Sequence, residues 1–241
     1  EPSINEAPSS NQINECLELL KVVLQDLGDN VLYYSRRKND KWLHPDQWPK
    51  TKKYQPDIIA YYEKPFRKNL RRLYAGQSWQ KPRLKYDMYF GHHESHAAAG
   101  YYTSPFDECN VLVVDAIGEW DTMSIWNCKD NKMKKVQTWK YPHSLGLLYS
   151  AITHRIGLKP NEDEYITMGM AAFGEPKYNL ENQLWENNHK GCIDIFPKAT
   201  PEDLAASVQD LYERELLKLV EMCPHENLVI MGGCALNCVA N

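Results

Sequence analysis

The sequence predicts an α/β fold on three observations. An aliphatic run at 111–114 ends on Asp115, two alternating runs follow at 122–126 and 133–139, and stretches of 3.6-residue apolar period lie on either side. The run 111–114 is short and apolar throughout, the pattern of a strand covered on both faces. Asp115 then stands at its carboxyl end, where open α/β sheets present their ligands.

In chain order, Ile13, Leu17, Leu20, Val23, Leu24 and Leu27 recur at helical spacing and stop at Gly28, so residues 11–27 read as an amphipathic helix. A candidate strand at 31–34 is followed by a loop rich in Lys, Asp, Trp and Pro running through Trp42, Trp48 and Pro49, whose aromatic residues either anchor the loop, the commoner role, or contact a ligand. Residues 57–63 have a buried-strand pattern, and Pro65 opens a helix over 66–74 whose Arg67, Lys68, Arg71 and Arg72 read as a solvated face, with anion contact as the alternative. A strand at 86–90 leads into Gly91 and a helix carrying His92, His93, His96 and three alanines. Beyond Asp115, the two alternating runs and the polar turn 127–132 between them form a β-meander with strand 110–115. Ser144 is placed to cap a helix reaching about Ile156. Residues 161–174 put acidic groups ahead of a Met/Gly/Ala segment, a helix start packed closely on a neighbour. Thr200 and Pro201 open a long amphipathic helix to about Cys223. The chain closes as a strand at 227–231, a Gly232-Gly233 turn and a helix start over 235–241.

A chain of 241 residues, 43% hydrophobic and 25% charged, can bury one large core or two small ones. Its net charge of -4 argues against a general nucleic-acid or membrane-surface binder. No apolar run reaches membrane-spanning length and the amino terminus has no signal-peptide pattern, so the cytoplasm is the expected compartment. Seven cysteines without a CxxC pair read as reduced thiols. Both ends look cut, since the chain opens without Met and closes on a half-finished helix; an incomplete protein is expected.

His92 and His96 stand at i and i+4 on one helix face, which is metal-ligand spacing, and Asp115 offers a hard oxygen to the same ion. Such a set leaves coordination positions open for a substrate oxygen. Histidines at this spacing are also often no more than satisfied polar residues. His93, a quarter-turn away, is a candidate acid/base or phosphate donor, or simply surface. The turn 115–122 holds an acid, Gly118, Glu119 and Thr122, the form of a phosphate-facing loop and equally of a plain hairpin. Gly232 and Gly233 ahead of Asn237 would let backbone approach a nucleotide.

Five ordered motifs together resemble the O-carbamoyltransferases of the nodulation and antibiotic-biosynthesis (NodU/CmcH) type: His92 to Ala97, Val114 to Glu119, Pro142 to Tyr149, Met168 to Ala171 and Gly232 to Asn237. The resemblance runs from about Asp57 to the last residue, and more loosely back through the first helix. It implies a ribonuclease-H-like, actin-like ATPase (ASKHA) fold, of which residues 1–241 would be an incomplete domain lacking its first strands, its carboxyl-terminal part and a YrdC-like partner domain. In the family, carbamoyl phosphate and ATP give carbamoyl-adenylate in the YrdC-like domain, and the metal site passes the carbamoyl group to a small hydroxylated acceptor. By the same resemblance His92, His96 and Asp115 match ligands for iron(II) or a similar divalent ion, Gly118, Glu119 and Thr122 match the phosphate-facing loop, and Gly232, Gly233 and Asn237 match the nucleotide turn. Ala116 stands where the family usually has glycine, and Ile166 where it has lysine. A metal-dependent hydrolase and a non-catalytic ATP-binding module are the alternative functions.

Overall fold

The structure, a computed structural model, describes residues 60–81 and 88–241. The chain divides into two units, Glu1–Ala60 with Pro82–Met88, and Tyr61–Lys81 with Tyr89–Asn241. All but two of the described residues belong to the second. The helix expected at 11–27, the strand at 31–34 and the loop after it lie outside the described residues.

The elements are β1 (Ala60–Tyr61), α1 (Pro65–Tyr74), β2 (Met88–Tyr89), α2 (His92–Thr103), β3 (Glu108–Val114), β4 (Asp121–Lys129), β5 (Lys132–Lys140), α3 (Leu145–Arg155), α4 (Glu164–Ala171), α5 (Pro201–Glu221) and β6 (Leu228–Met231). The fold is mixed α/β, built on a four-stranded sheet of order β5-β4-β3-β6. β3, β4 and β5 are antiparallel, the last two joined by Asp130 and Asn131, both at positive φ, as a tight two-residue hairpin needs. β6 returns parallel to β3, with Val113 opposite Met231. The carboxyl ends of β3 and β6 therefore lie side by side, which brings the Gly232 turn to Asp115.

β3 is buried on both faces, and its alternation assigns each side chain to a layer. Leu112 and Val114 join Met123 and Ile125 in a core with Leu148 and Ile152 of α3 and Leu204, Val208, Leu211 and Tyr212 of α5. Cys109, Val111 and Val113 pack on the other face with Ala97 and Tyr101 of α2. The sheet is thus sandwiched between helices, and burial of apolar area on both faces is its main stabilisation. Caps fix where the helices begin. Ser144 Oγ accepts the Leu147 N–H at 3.1 Å and Thr200 Oγ1 that of Asp203 at 3.2 Å, each worth ~1 kcal/mol.

Two sequence expectations change. Arg71 is not on a solvated face: it is 3% exposed, and its Nε donates to the Glu119 carbonyl at 3.1 Å, while the apolar Phe66, Leu70 and Leu73 of the same helix stay exposed. The helix expected over 235–241 is only a 3-10 turn, Gly233–Leu236. Asn237 Oδ1 takes the N–H groups of Val239 and Ala240, both at 3.2 Å, and this local bonding competes with helix continuation.

Gly232 sits at φ +96°, and a Cβ there would run into the Val114 carbonyl; Gly157, at φ +88°, has open space around it. Gly157→Ala should therefore cost ~1 kcal/mol from backbone strain alone, and Gly232→Ala at least ~2–3 kcal/mol. Urea unfolding of the two variants measures the difference, and equal losses would contradict the close approach of β3 to the turn.

Candidate metal centre and the adjoining cavity

α2 presents His92 and His96 from one face toward the end of β3. His92 Nε2 lies 2.8 Å from Asp115 Oδ2, His96 Nε2 lies 3.5 Å from the same oxygen, and the two nitrogens are 3.2 Å apart. Protons cannot satisfy all three contacts. If both nitrogens carry hydrogens toward Asp115, the two N–H groups face each other; if His92 accepts from His96, its lone pair faces the carboxylate. Three lone pairs turned to one cation leave no such conflict. With metal–ligand bonds of ~2.1 Å, neighbouring ligand atoms in octahedral or tetrahedral coordination lie ~3.0–3.4 Å apart, close to the observed spacings. The residues chosen from their spacing in the sequence are thus brought together in a geometry that fits a divalent ion.

Asp115 is held in place by its other oxygen. Oδ1 accepts the Ala116 N–H at 2.8 Å and faces the Gly233 N–H at 3.4 Å, which leaves Oδ2 for the histidines. Burial works to raise the Asp115 carboxyl, but the close approach of the His92 and His96 imidazoles outweighs it and holds the group well below the usual carboxylate range. Gly118 lets the β3–β4 turn approach this cluster, since a Cβ there would lie only 3.0 Å from His92 Cβ. Ala116, where glycine was the family expectation, is not among the described residues at positive φ, so its side chain brings no backbone strain.

The remaining sequence candidates fall into different surroundings. His93 is 2% exposed, with Nδ1 at 2.8 Å from Ser124 Oγ, and burial pushes its imidazole down to about 4. Glu119 is buried rather than open to a phosphate: Oε1 accepts the backbone N–H groups of Lys64 at 2.6 Å and His92 at 3.1 Å. Thr122 is fully buried, and its Oγ1 donates to the His143 carbonyl at 2.6 Å. Asn237 exchanges hydrogen bonds with the buried Gln209, at 3.0 and 3.2 Å.

Beside Asp115 opens a cavity of about 420 Å³ lined by Ala116, Tyr149, Glu164, Tyr212, Gly233 and Asn237, among others. Gly233 and Asn237 thus share a cavity with Asp115, while Gly118, Glu119 and Thr122 do not line it. Sequence reasoning missed Tyr149, Glu164 and Tyr212 as lining residues. Glu164 was the one with a signal, an acid at the head of α4; its Oε1 accepts from Ser150 Oγ and from the Asn161 N–H, both at 2.6 Å.

Residues 4–196 match the family model described as carbamoyltransferase N-terminus. An uncharacterized protein of Synechocystis is 40% identical over 188 residues, covering 62% of this chain and 30% of that protein. An uncharacterized protein of Methanocaldococcus jannaschii is 29% identical over 192 residues, covering 63% of this chain and 32% of the relative. The nodulation protein NolNO of Sinorhizobium fredii is 27% identical over 179 residues, covering 64% and 26% respectively. The chain therefore spans about a third or less of the length of these curated relatives.

Burial lowers the basicity of both His93 and His143. In the unfolded chain both take up protons near pH ~6.5, whereas the folded state resists, so stability present above that pH is lost as pH falls toward the folded values. His93 alone, with its folded value about 4, accounts for a loss of up to ~3 kcal/mol. Denaturant titrations at pH ~7.5 and ~5 should show the lower stability in acid, and equal midpoints and slopes would contradict the buried neutral imidazoles.

Proposed function

We propose, from the premise that this chain belongs to the carbamoyltransferase N-terminus family, that it is the part of an O-carbamoyltransferase that delivers a carbamoyl group to a hydroxyl acceptor at the His92/His96/Asp115 cluster. The observation that carries this reading is the mutual approach of the three donor atoms, which protons alone do not reconcile. On this reading carbamoyl phosphate and ATP yield carbamoyl-adenylate in a further, YrdC-like domain, and the adenylate enters the cavity beside Asp115. The strand order supports an actin-like ATPase (ASKHA) reading of the domain: three antiparallel strands, then a fourth parallel to the first on its outer side.

A divalent ion such as iron(II), when bound, would supply positive charge to the carbonyl and phosphate oxygens of the reacting group. The chain's residues do the rest. His92 and His96 direct Nε2 lone pairs to one point, and the Ala116 N–H orients Asp115 so that Oδ2 completes the set. Gly118 admits the helix to contact distance. Tyr149, Tyr212 and Leu236 wall the cavity with apolar surface, which shields an activated carbamoyl group from water. Glu119 and Thr122 serve through position: one anchors the start of α2, the other ties β4 to the His143 segment. His93 takes no direct part, because its ring is buried against Ser124.

In the full protein, His96→Ala should weaken divalent-metal binding by ~100-fold or more and abolish carbamoyl transfer while leaving adenylate formation largely intact. Calorimetry reads the metal, pyrophosphate release reads the adenylate, and mass gain on a hydroxyl acceptor reads the transfer, with circular dichroism as the folding control. A folded variant that loses both steps in equal proportion, or still transfers at the parental rate, would overturn the assignment.

A further inference from the structure

A second depression, of about 620 Å³, lies where the start of α2 meets the outer face of β4 and β5. Its lining includes four cationic side chains, Lys64, Arg67, Lys135 and Lys140, and the buried ring of His93. The acids of the lining are already engaged. Glu94 accepts the Gly91 N–H at 3.1 Å, Glu119 the Lys64 and His92 N–H groups, and Asp121 pairs with Lys135 at 2.6 Å. Lys64, Arg67 and Lys140 make no ion pair among the described residues, and the four cations of the lining outnumber its three carboxylates by one, so the depression carries a small positive excess.

His93 adds a directed group. Trp126 Nε1–H donates to Ser124 Oγ at 2.9 Å, and Ser124 is fully buried, so its hydroxyl proton needs an acceptor. The acceptor within reach is His93 Nδ1, at 2.8 Å. Nδ1 therefore bears the lone pair and Nε2 the hydrogen, yet Nε2 is buried with no hydrogen-bond partner. An N–H group left unpaired in a 2% exposed ring is costly unless a ligand accepts from it.

We propose that this depression binds the oxyanion group of a small molecule, a phosphate or a carboxylate, with His93 Nε2–H donating at its floor and Lys64, Arg67 and Lys140 holding the charge at its rim. The donor set is that of oxyanion recognition generally: cations that tolerate several orientations around one fixed, directional N–H. The site is separate from the metal cluster and stands independently of the carbamoyl-transfer reading. His92 and His93 are adjacent in sequence but serve opposite neighbourhoods, one turned to Asp115 and the other to Ser124.

The test uses the intact protein freed of metal by chelation, so that the His92/His96/Asp115 cluster recruits no anion. Inorganic phosphate and acetate, titrated separately by calorimetry, distinguish a phosphate from a carboxylate ligand. Saturable binding of at least one is expected, weakened ~10-fold or more in a triple variant, Lys64→Gln, Arg67→Gln and Lys140→Gln, with circular dichroism as the folding control because Lys64 is half-buried while Arg67 and Lys140 are exposed. Nitrogen-15 NMR of the imidazoles should show His93 hydrogenated on Nε2, with that resonance moving as the bound anion saturates. No saturable binding of either anion, unchanged affinity in the triple variant, or a His93 hydrogenated on Nδ1 would each overturn the proposal.

Discussion

The carboxylate of Glu119 is the constraint on which the rest of the site depends. It is 8% exposed, so an ionised group there must be met by strong donors, and the backbone N–H groups of Lys64 and His92 meet it. The Glu119 carbonyl accepts from Arg71 in the same small volume. One residue of the β3–β4 turn thereby binds both the entry to α1 and the first residue of α2. With its first residue pinned, α2 has little freedom to turn about its axis. The faces assigned to His92, His93 and His96 follow from that anchor, each successive side chain rotated by about 100°.

How much of this was legible in the sequence depended on how local the deciding contact is. The histidine helix, β3 and the placement of Asp115 beside His92 and His96 were readable because spacing along one helix and the end of one strand determine them. The two-residue hairpin and the caps at Ser144 and Thr200 were readable for the same reason. Glu119 and Thr122 were not, because an acid and a hydroxyl in a tight turn look alike whether they face a ligand or the protein. The deciding partner of Glu119 is Lys64, 55 residues away, and that of Thr122 is the carbonyl of His143. Arg71 failed similarly: four cations on one short helix read as a solvated face, and only the fold shows that one of them turns inward to a carbonyl.

The cavity beside Asp115 illustrates the same limit at larger scale. Its walls come from the end of β3, from α3, α4 and α5, and from the turn after β6, so no stretch of sequence contains it. Glu164 and Tyr149 belong to segments whose local patterns speak only of helix starts and packing. The parallel return of β6 beside β3 brings the last of these pieces into place, and that pairing rests on a crossover of more than a hundred residues.

β5 has a further consequence. Among the described strands it stands at the end of the sheet, nine residues long, with backbone donors and acceptors on its outer side unclaimed by any other described strand. Such an edge is a template for pairing with another chain. Along it stand Lys132, Lys134, Lys135 and Lys140, all exposed. A second copy laid edge to edge would set rows of ammonium groups against each other, so these lysines, Lys140 of the neighbouring depression among them, oppose self-association of the sheet.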